Sequence, residues 1–165
     1  MVDTMSTVSM QAVNEFLAQR RLAVVGVSDA KGSFAKTVYR ELRTHGYDIV
    51  PVNPSVASVD SDRCFPDLAS VPGDIDGAIV MVNRDVSPSI VRDCVARGIQ
   101  RVWLFKGLGG PGAVSDEAVQ VAHEHGLSVV EGACPLMFLD SPGWVHRVHR
   151  FMRRRNGSID LRSAA

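Results

Sequence analysis

The chain has no excess of either charge, too few cysteines for a disulfide framework and no long apolar run. Among its 165 residues Lys plus Arg equals Asp plus Glu at 18 each. No global field therefore draws it to nucleic acid or to an acidic membrane, and any partner has to be selected locally. The three cysteines, Cys64, Cys94 and Cys134, are odd in number and far apart. That usage suits a reducing compartment and contains no zinc spacing. No stretch approaches the roughly 18 apolar residues of a bilayer span, and the first residues lack the basic-then-apolar order of a secretory leader. A cytoplasmic location is the expectation. Repeats and low-complexity segments are missing, and so is a catalytic constellation. No carboxylate pair stands out, while His45, His123 and His125 fall at helix ends, where imidazole meets the carbonyl end of the dipole.

What is present is a regular alternation of short apolar runs and amphipathic stretches. With 45% hydrophobic residues the chain has material for one packed domain. We place that domain at 9–155, with 1–8 and 156–165 as disordered tails. Ser9 is suited to cap a helix running to Gln19, with Val13, Phe16 and Leu17 on its apolar side, lying over the sheet edge. Residues 22–25 form a first strand, Gly26 turns the chain, and Ser33 opens a helix that Gly46 stops. A second strand covers 47–52. The connector 55–70 reads as irregular, with a helical turn at 66–70. A third strand at 76–82, a helix at 87–97 ended by Gly98, with Ser87 as its cap if the preceding loop is an ordinary turn, a fourth strand at 100–105, a helix at 115–125 and a fifth strand at 127–131 complete the pattern. Strands alternating with helices of about ten residues call for a parallel sheet covered on both faces by right-handed crossovers. The expected fold is α/β, a doubly wound Rossmann-like domain with a five-stranded parallel sheet.

Such sheets bind ligands outside the carboxyl ends of their strands. Gly26, Val27 and Ser28 stand at the first such end, and the N–H groups of Ser33 and Phe34 at the following helix start add donors suited to phosphate. A side chain at Gly26 is expected to occupy the space of that phosphate, with a tight turn and nothing more as the alternative. Lys31, Lys36, Arg84 and Lys106 are the cations near the strand ends, with solvated surface as the alternative for each. After the second strand a dinucleotide fold places an acid on the adenosine ribose. Here Asn53 and Pro54 follow Val52 instead. Pro54 holds Asn53 extended, which makes a wall rather than a ribose hook. The missing acid and the incomplete glycine fingerprint argue against an NAD(P)-binding oxidoreductase-like protein.

Four segments in order, VVGVS, LRTHGYDIVPVNP, VWLFKG and GLSVVEGACP, resemble the CoA-binding domain family. The likeness runs from Arg21 to Leu139, to the small stand-alone members and, more distantly, to the N-terminal domain of the succinyl-CoA synthetase alpha subunit. It implies coenzyme A or acyl-CoA as ligand, Val52, Asn53 and Pro54 as pocket lining, and Val82, Asn83 and Arg84 as contacts on the adenosine side. The pyrophosphate, 3′-phosphate, adenine and pantetheine arm of CoA need backbone donors, cations and apolar walls, and these loops contain all three. Phe105 departs from the family's usual Trp-x-Gln-x-Gly. It either stacks on a flat group or fills the core. Lys106, Gly107 and the run to Gly112 form a glycine-rich loop, either a closing element or a connector. Cys134 matches a cysteine-proline pair of the family, but with no cation beside it in sequence it reads as a small buried hydrophobe.

The synthetase reaction does not travel with the fold. The expected function is a CoA or acyl-CoA binding protein with no catalytic residues and no metal of its own. A CoA-presenting subunit of an acyltransferase or ligase is the alternative. From Pro142 a helix is expected with Trp144, Val148, Phe151 and Met152 on one side and a dense cationic face opposite, either solvated or set against an acidic protein partner.

Overall fold

The computed structural model describes residues 8–108, 110–139 and 159–160. In chain order the elements are β1 (Val8–Ser9), α1 (Met10–Leu17), β2 (Arg21–Val25), α2 (Phe34–Thr44), β3 (Asp48–Val52), β4 (Ser58–Val59), β5 (Asp62–Arg63), β6 (Gly77–Val80), α3 (Ser87–Arg97), β7 (Arg101–Leu104), α4 (Asp116–Glu124), β8 (Ser128–Glu131), a 3-10 turn (Pro135–Met137) and β9 (Ile159–Asp160). Five strands make one parallel sheet in the order β3-β2-β6-β7-β8. This is the doubly wound fold expected. The winding reverses between β2 and β6, the place where such sheets hold their ligands.

Strand periodicity sorts the core into two layers. Leu22, Val24, Ile79, Trp103 and Val130 face the layer of α1 and α2, while Ala23, Val25, Ala78, Val80, Val102 and Leu104 face that of α3 and α4. Burial on both faces is why these strands are continuous apolar runs. Pro51 identifies β3 as an edge. The Asp48 N–H donates to the Arg20 carbonyl, so alternate residues turn their nitrogens toward β2 and Pro51 turns its own outward, where no ladder bond is lost.

Several local readings need correcting or extending. The first helix lies over the edge strand β8, where the Ser128 hydroxyl donates to Glu15 at 3.1 Å, and also reaches across the sheet face: the Phe16 ring meets Trp103 edge-on at 5.3 Å, and a Cβ on Gly77 would lie 2.9 Å from it. Ser87 is not the cap of α3. Val86 holds that position, and the buried Ser87 hydroxyl donates to the Arg84 carbonyl at 2.9 Å. No helical turn forms at 66–70; the Asp67 carboxylate accepts the N–H and hydroxyl of Ser70 at 2.8 and 2.7 Å. The connector also contains a hairpin, β4–β5, turned by Asp60 and Ser61 at φ 48 and 72. Its two-residue strands carry no periodicity, and its turn lacks glycine. It is held instead by α2: Arg43 and Tyr39 both bond Asp62, and Arg40 Nη2 meets Asp60 Oδ1 at 2.6 Å.

The helix expected from Pro142 and most of both tails lie outside the described residues. Val8–Ser9 and Ile159–Asp160, however, pair in parallel.

Candidate functional site

A cleft of about 800 Å³ opens outside the carboxyl ends of β2, β3, β6 and β7. This is within the range of about 300–1,000 Å³ usual for small-molecule sites. The end of β2 supplies Val25 and Gly26, and the first turn of α2 supplies Phe34 and Ala35. Asn53 and Pro54 come from the end of β3. Met81, Val82, Asn83, Arg84 and Asp85 follow β6, and Val86 and Ile90 come from the start of α3. Phe105, Pro111, Gly112 and Ala113 close the far side.

Of the residues singled out from sequence, the structure thus brings Gly26, Phe34, Asn53, Pro54, Val82, Asn83, Arg84 and Phe105 to one cavity. The others lie behind or beside it. Val27 is fully buried and Val52 nearly so. Ser28 is half-buried in the turn, and the Ser33 hydroxyl accepts the Lys36 N–H at 3.4 Å as the helix cap. Lys31 is exposed outside the lining. Lys106 lies against Gly132, where an added Cβ would sit 3.4 Å from its own, and Gly107 adjoins the Phe105 ring.

Gly26 has a backbone role. Its φ is +100, and a Cβ there would fall 2.4 Å from the Met81 carbonyl oxygen. Its N–H donates to the Val52 carbonyl at 2.9 Å. The space a side chain would take is therefore filled by Met81, the residue after β6, and the donors left to the turn are those of Val27 and Ser28. Asn53 is braced on every side. Its side-chain N–H donates to the Val27 carbonyl at 2.8 Å, its side-chain oxygen accepts the Ser55 N–H at 2.8 Å, and its backbone N–H donates to Phe65 at 2.8 Å.

The cations divide by what surrounds them. Lys36 bonds Asp29 and lies 3.1 Å from Asp60. The hydrogen bonds to Asp29 and then Asp60 raise its pKa above the ordinary lysine value, so it is committed to locking the turn and the hairpin to α2. Arg84 is exposed on the lining. Cys134 is buried at the 3-10 turn. Burial pushes the Cys94 thiol up to about 12 and raises that of Cys64, which keeps both protonated at neutral pH. Among the described residues no group of three His, Cys, Asp or Glu could hold a metal, and no helix is long and apolar enough to cross a membrane.

Sequence reasoning missed Val86 and Ile90, and with them Val25, Ala35, Met81, Asp85 and Ala113. A signal existed for the first two, because apolar residues four apart at a helix start share a face. Pro111 falls in the glycine-rich run already singled out, but no signal existed for Ala113, whose N–H returns to the Phe105 carbonyl at 2.8 Å.

The sequence model of the CoA-binding domain matches residues 20–140. An ADP-forming acetate–CoA ligase of Archaeoglobus fulgidus is 28% identical over 118 residues, which are 68% of this chain and 17% of the ligase. The chain thus spans between about a sixth and about a quarter of the ligases and ligase subunits it matches. The Bacillus subtilis protein YneT is 28% identical over 131 residues, 79% of this chain and 93% of that protein. A solved hypothetical protein from Pyrococcus horikoshii superposes with a TM-score of 0.70 at 28% identity, covering 76% of this chain and 85% of that one. The chain belongs to the CoA-binding domain family.

Proposed function

We propose that the cleft between the ends of β2, β3, β6 and β7 binds coenzyme A or an acyl-CoA, and that the chain acts as a binding protein with no catalytic residues of its own. The observation that carries this reading is the composition of the cleft at the winding reversal. The first turn of α2, with Phe34 and Ala35 on the lining, serves the pyrophosphate, and the turn of Val27 and Ser28 lies beside the lining. Asn83 and Arg84 serve the adenosine end and its 3′-phosphate. Phe34, Val82 and Phe105 supply apolar wall. Asn53, with both ends of its amide engaged, offers no carboxylate to a ribose hydroxyl, which disfavours NAD.

Calorimetric titration with CoA, acetyl-CoA, NAD and NADP tests the proposal. CoA should bind measurably tighter than either dinucleotide. Saturable NAD binding without a response to CoA would overturn it. A second reading, that the chain presents CoA to a separate ligase or acyltransferase, is supported by the ligases among its relatives. Co-purification with a catalytic subunit that turns over CoA only in its presence would establish that role.

A further inference from the structure

Among the described residues three large apolar side chains stand exposed: Phe34 at 42%, Val86 at 44% and Leu108 at 69%. Scattered singly, such residues need no explanation. Two of them share one site: Phe34 and Val86 line the cleft, while Leu108 is not on its lining but falls in the chain between Phe105 and Pro111, which are. The Phe34 and Phe105 rings meet with centroids 5.5 Å apart, tilted by 41°, and so join the start of α2 to the end of β7.

The polar side chains of the lining, Asn53, Asn83, Arg84 and Asp85, all come from the ends of β3 and β6. The β7 side contributes Phe105, Pro111, Gly112 and Ala113 and no polar side chain. That side is also built rather than slack. The Ala113 N–H closes the loop on the Phe105 carbonyl at 2.8 Å. Gly112, at φ +61, lies so close that a Cβ there would fall 2.3 Å from the same oxygen. The two ends of the segment that carries Leu108 are thus held together at Phe105 and Ala113.

A cleft with one polar side and one apolar side fits a ligand that carries its own apolar chain. We infer, resting on the CoA reading above, that the site prefers CoA thioesters of apolar acyl groups to free CoA, the acyl chain lying against Phe34, Phe105 and Leu108. Each methylene removed from water tightens binding by about fourfold. Acetyl-CoA should therefore resemble free CoA, while a six-carbon chain should separate clearly from both.

The test is calorimetry with CoA, acetyl-CoA and hexanoyl-CoA on the wild-type protein and on Phe34→Ser and Leu108→Ser, with circular dichroism as the check of folding. Hexanoyl-CoA should bind at least about tenfold tighter than CoA. The ratio of the two affinities should fall toward one in both variants, whatever they do to free CoA. Equal affinities for the three ligands in the wild type would overturn the inference and leave the CoA reading standing. A ratio that survives both substitutions would place the chain elsewhere and also overturn it. No binding of any of the three would bring down both readings.

Discussion

Asn53 donates its side-chain N–H to the carbonyl of Val27 across 2.8 Å. Its side-chain oxygen takes the Ser55 N–H, so one amide ties the turn after β2 to the turn after β3. Asn53→Asp keeps the shape but sets a carboxylate oxygen against the Val27 carbonyl. It should cost about 1–3 kcal/mol of stability and weaken CoA, read by urea unfolding and calorimetry. Unchanged stability would mean that the amide is no brace.

Gly26→Ala should damage the fold rather than the ligand site alone. A Cβ would fall 2.4 Å from the Met81 carbonyl oxygen at a φ of +100. Overpacking and the unfavourable φ together should cost at least about 2 kcal/mol. A lower denaturation midpoint is the expected observation. A variant as stable as wild type that has lost only CoA binding would restore the ligand-centred role expected from sequence.

Arg84 and Lys31 should separate in a comparison of CoA with dephospho-CoA. Arg84 lines the cleft and Lys31 does not. A well-placed charge-assisted contact contributes about 1.5–3 kcal/mol, so Arg84→Ala should weaken CoA by about tenfold or more and dephospho-CoA much less. Lys31→Ala should change neither. Equal losses for Arg84→Ala would move that residue to the pyrophosphate.

The hairpin clamp should fail at both extremes of pH. Hydrogen bonds from Arg40 and then Lys36 hold the Asp60 carboxyl well below the ordinary carboxylate range. Its stabilisation is present in full above the unfolded value near pH 4 and is lost as pH falls toward the folded one. Tyr39 is the converse. Burial, and next its bond to Asp62, push its pKa up to about 12, so its contribution is present below about pH 10 and is lost as pH rises from there to 12. Asp60→Asn should flatten the acid limb of a stability–pH curve and Tyr39→Phe the alkaline limb. A limb unchanged by its substitution would exclude that residue as the cause.

The repeating elements were legible because each carries its own local signal. Ser9, Ser33 and Ser115 cap helices by accepting the N–H of Ala12, Lys36 and Ala118, as short hydroxyl side chains do anywhere. His45 and His125 reach back to carbonyls at their helix ends. The β4–β5 hairpin was not legible. Its turn depends on Asp60 and Ser61 at positive φ, held by arginines and a tyrosine roughly twenty residues earlier in the chain.

The sequence by itself determined the alternation of strands and helices, the two-sided burial of the sheet and the loops that gather at its carboxyl edge. Each of these follows from hydrophobic period and turn chemistry within a few residues. Only the tertiary structure decided what individual loop residues do. Gly26 has no room for a side chain because the Met81 carbonyl lies against it, Lys36 is occupied by Asp29 and Asp60, and Phe34 meets Phe105 across the cleft. Those outcomes rest on distances between segments far apart in the chain, and hydrophobic period and turn chemistry carry no signal for them.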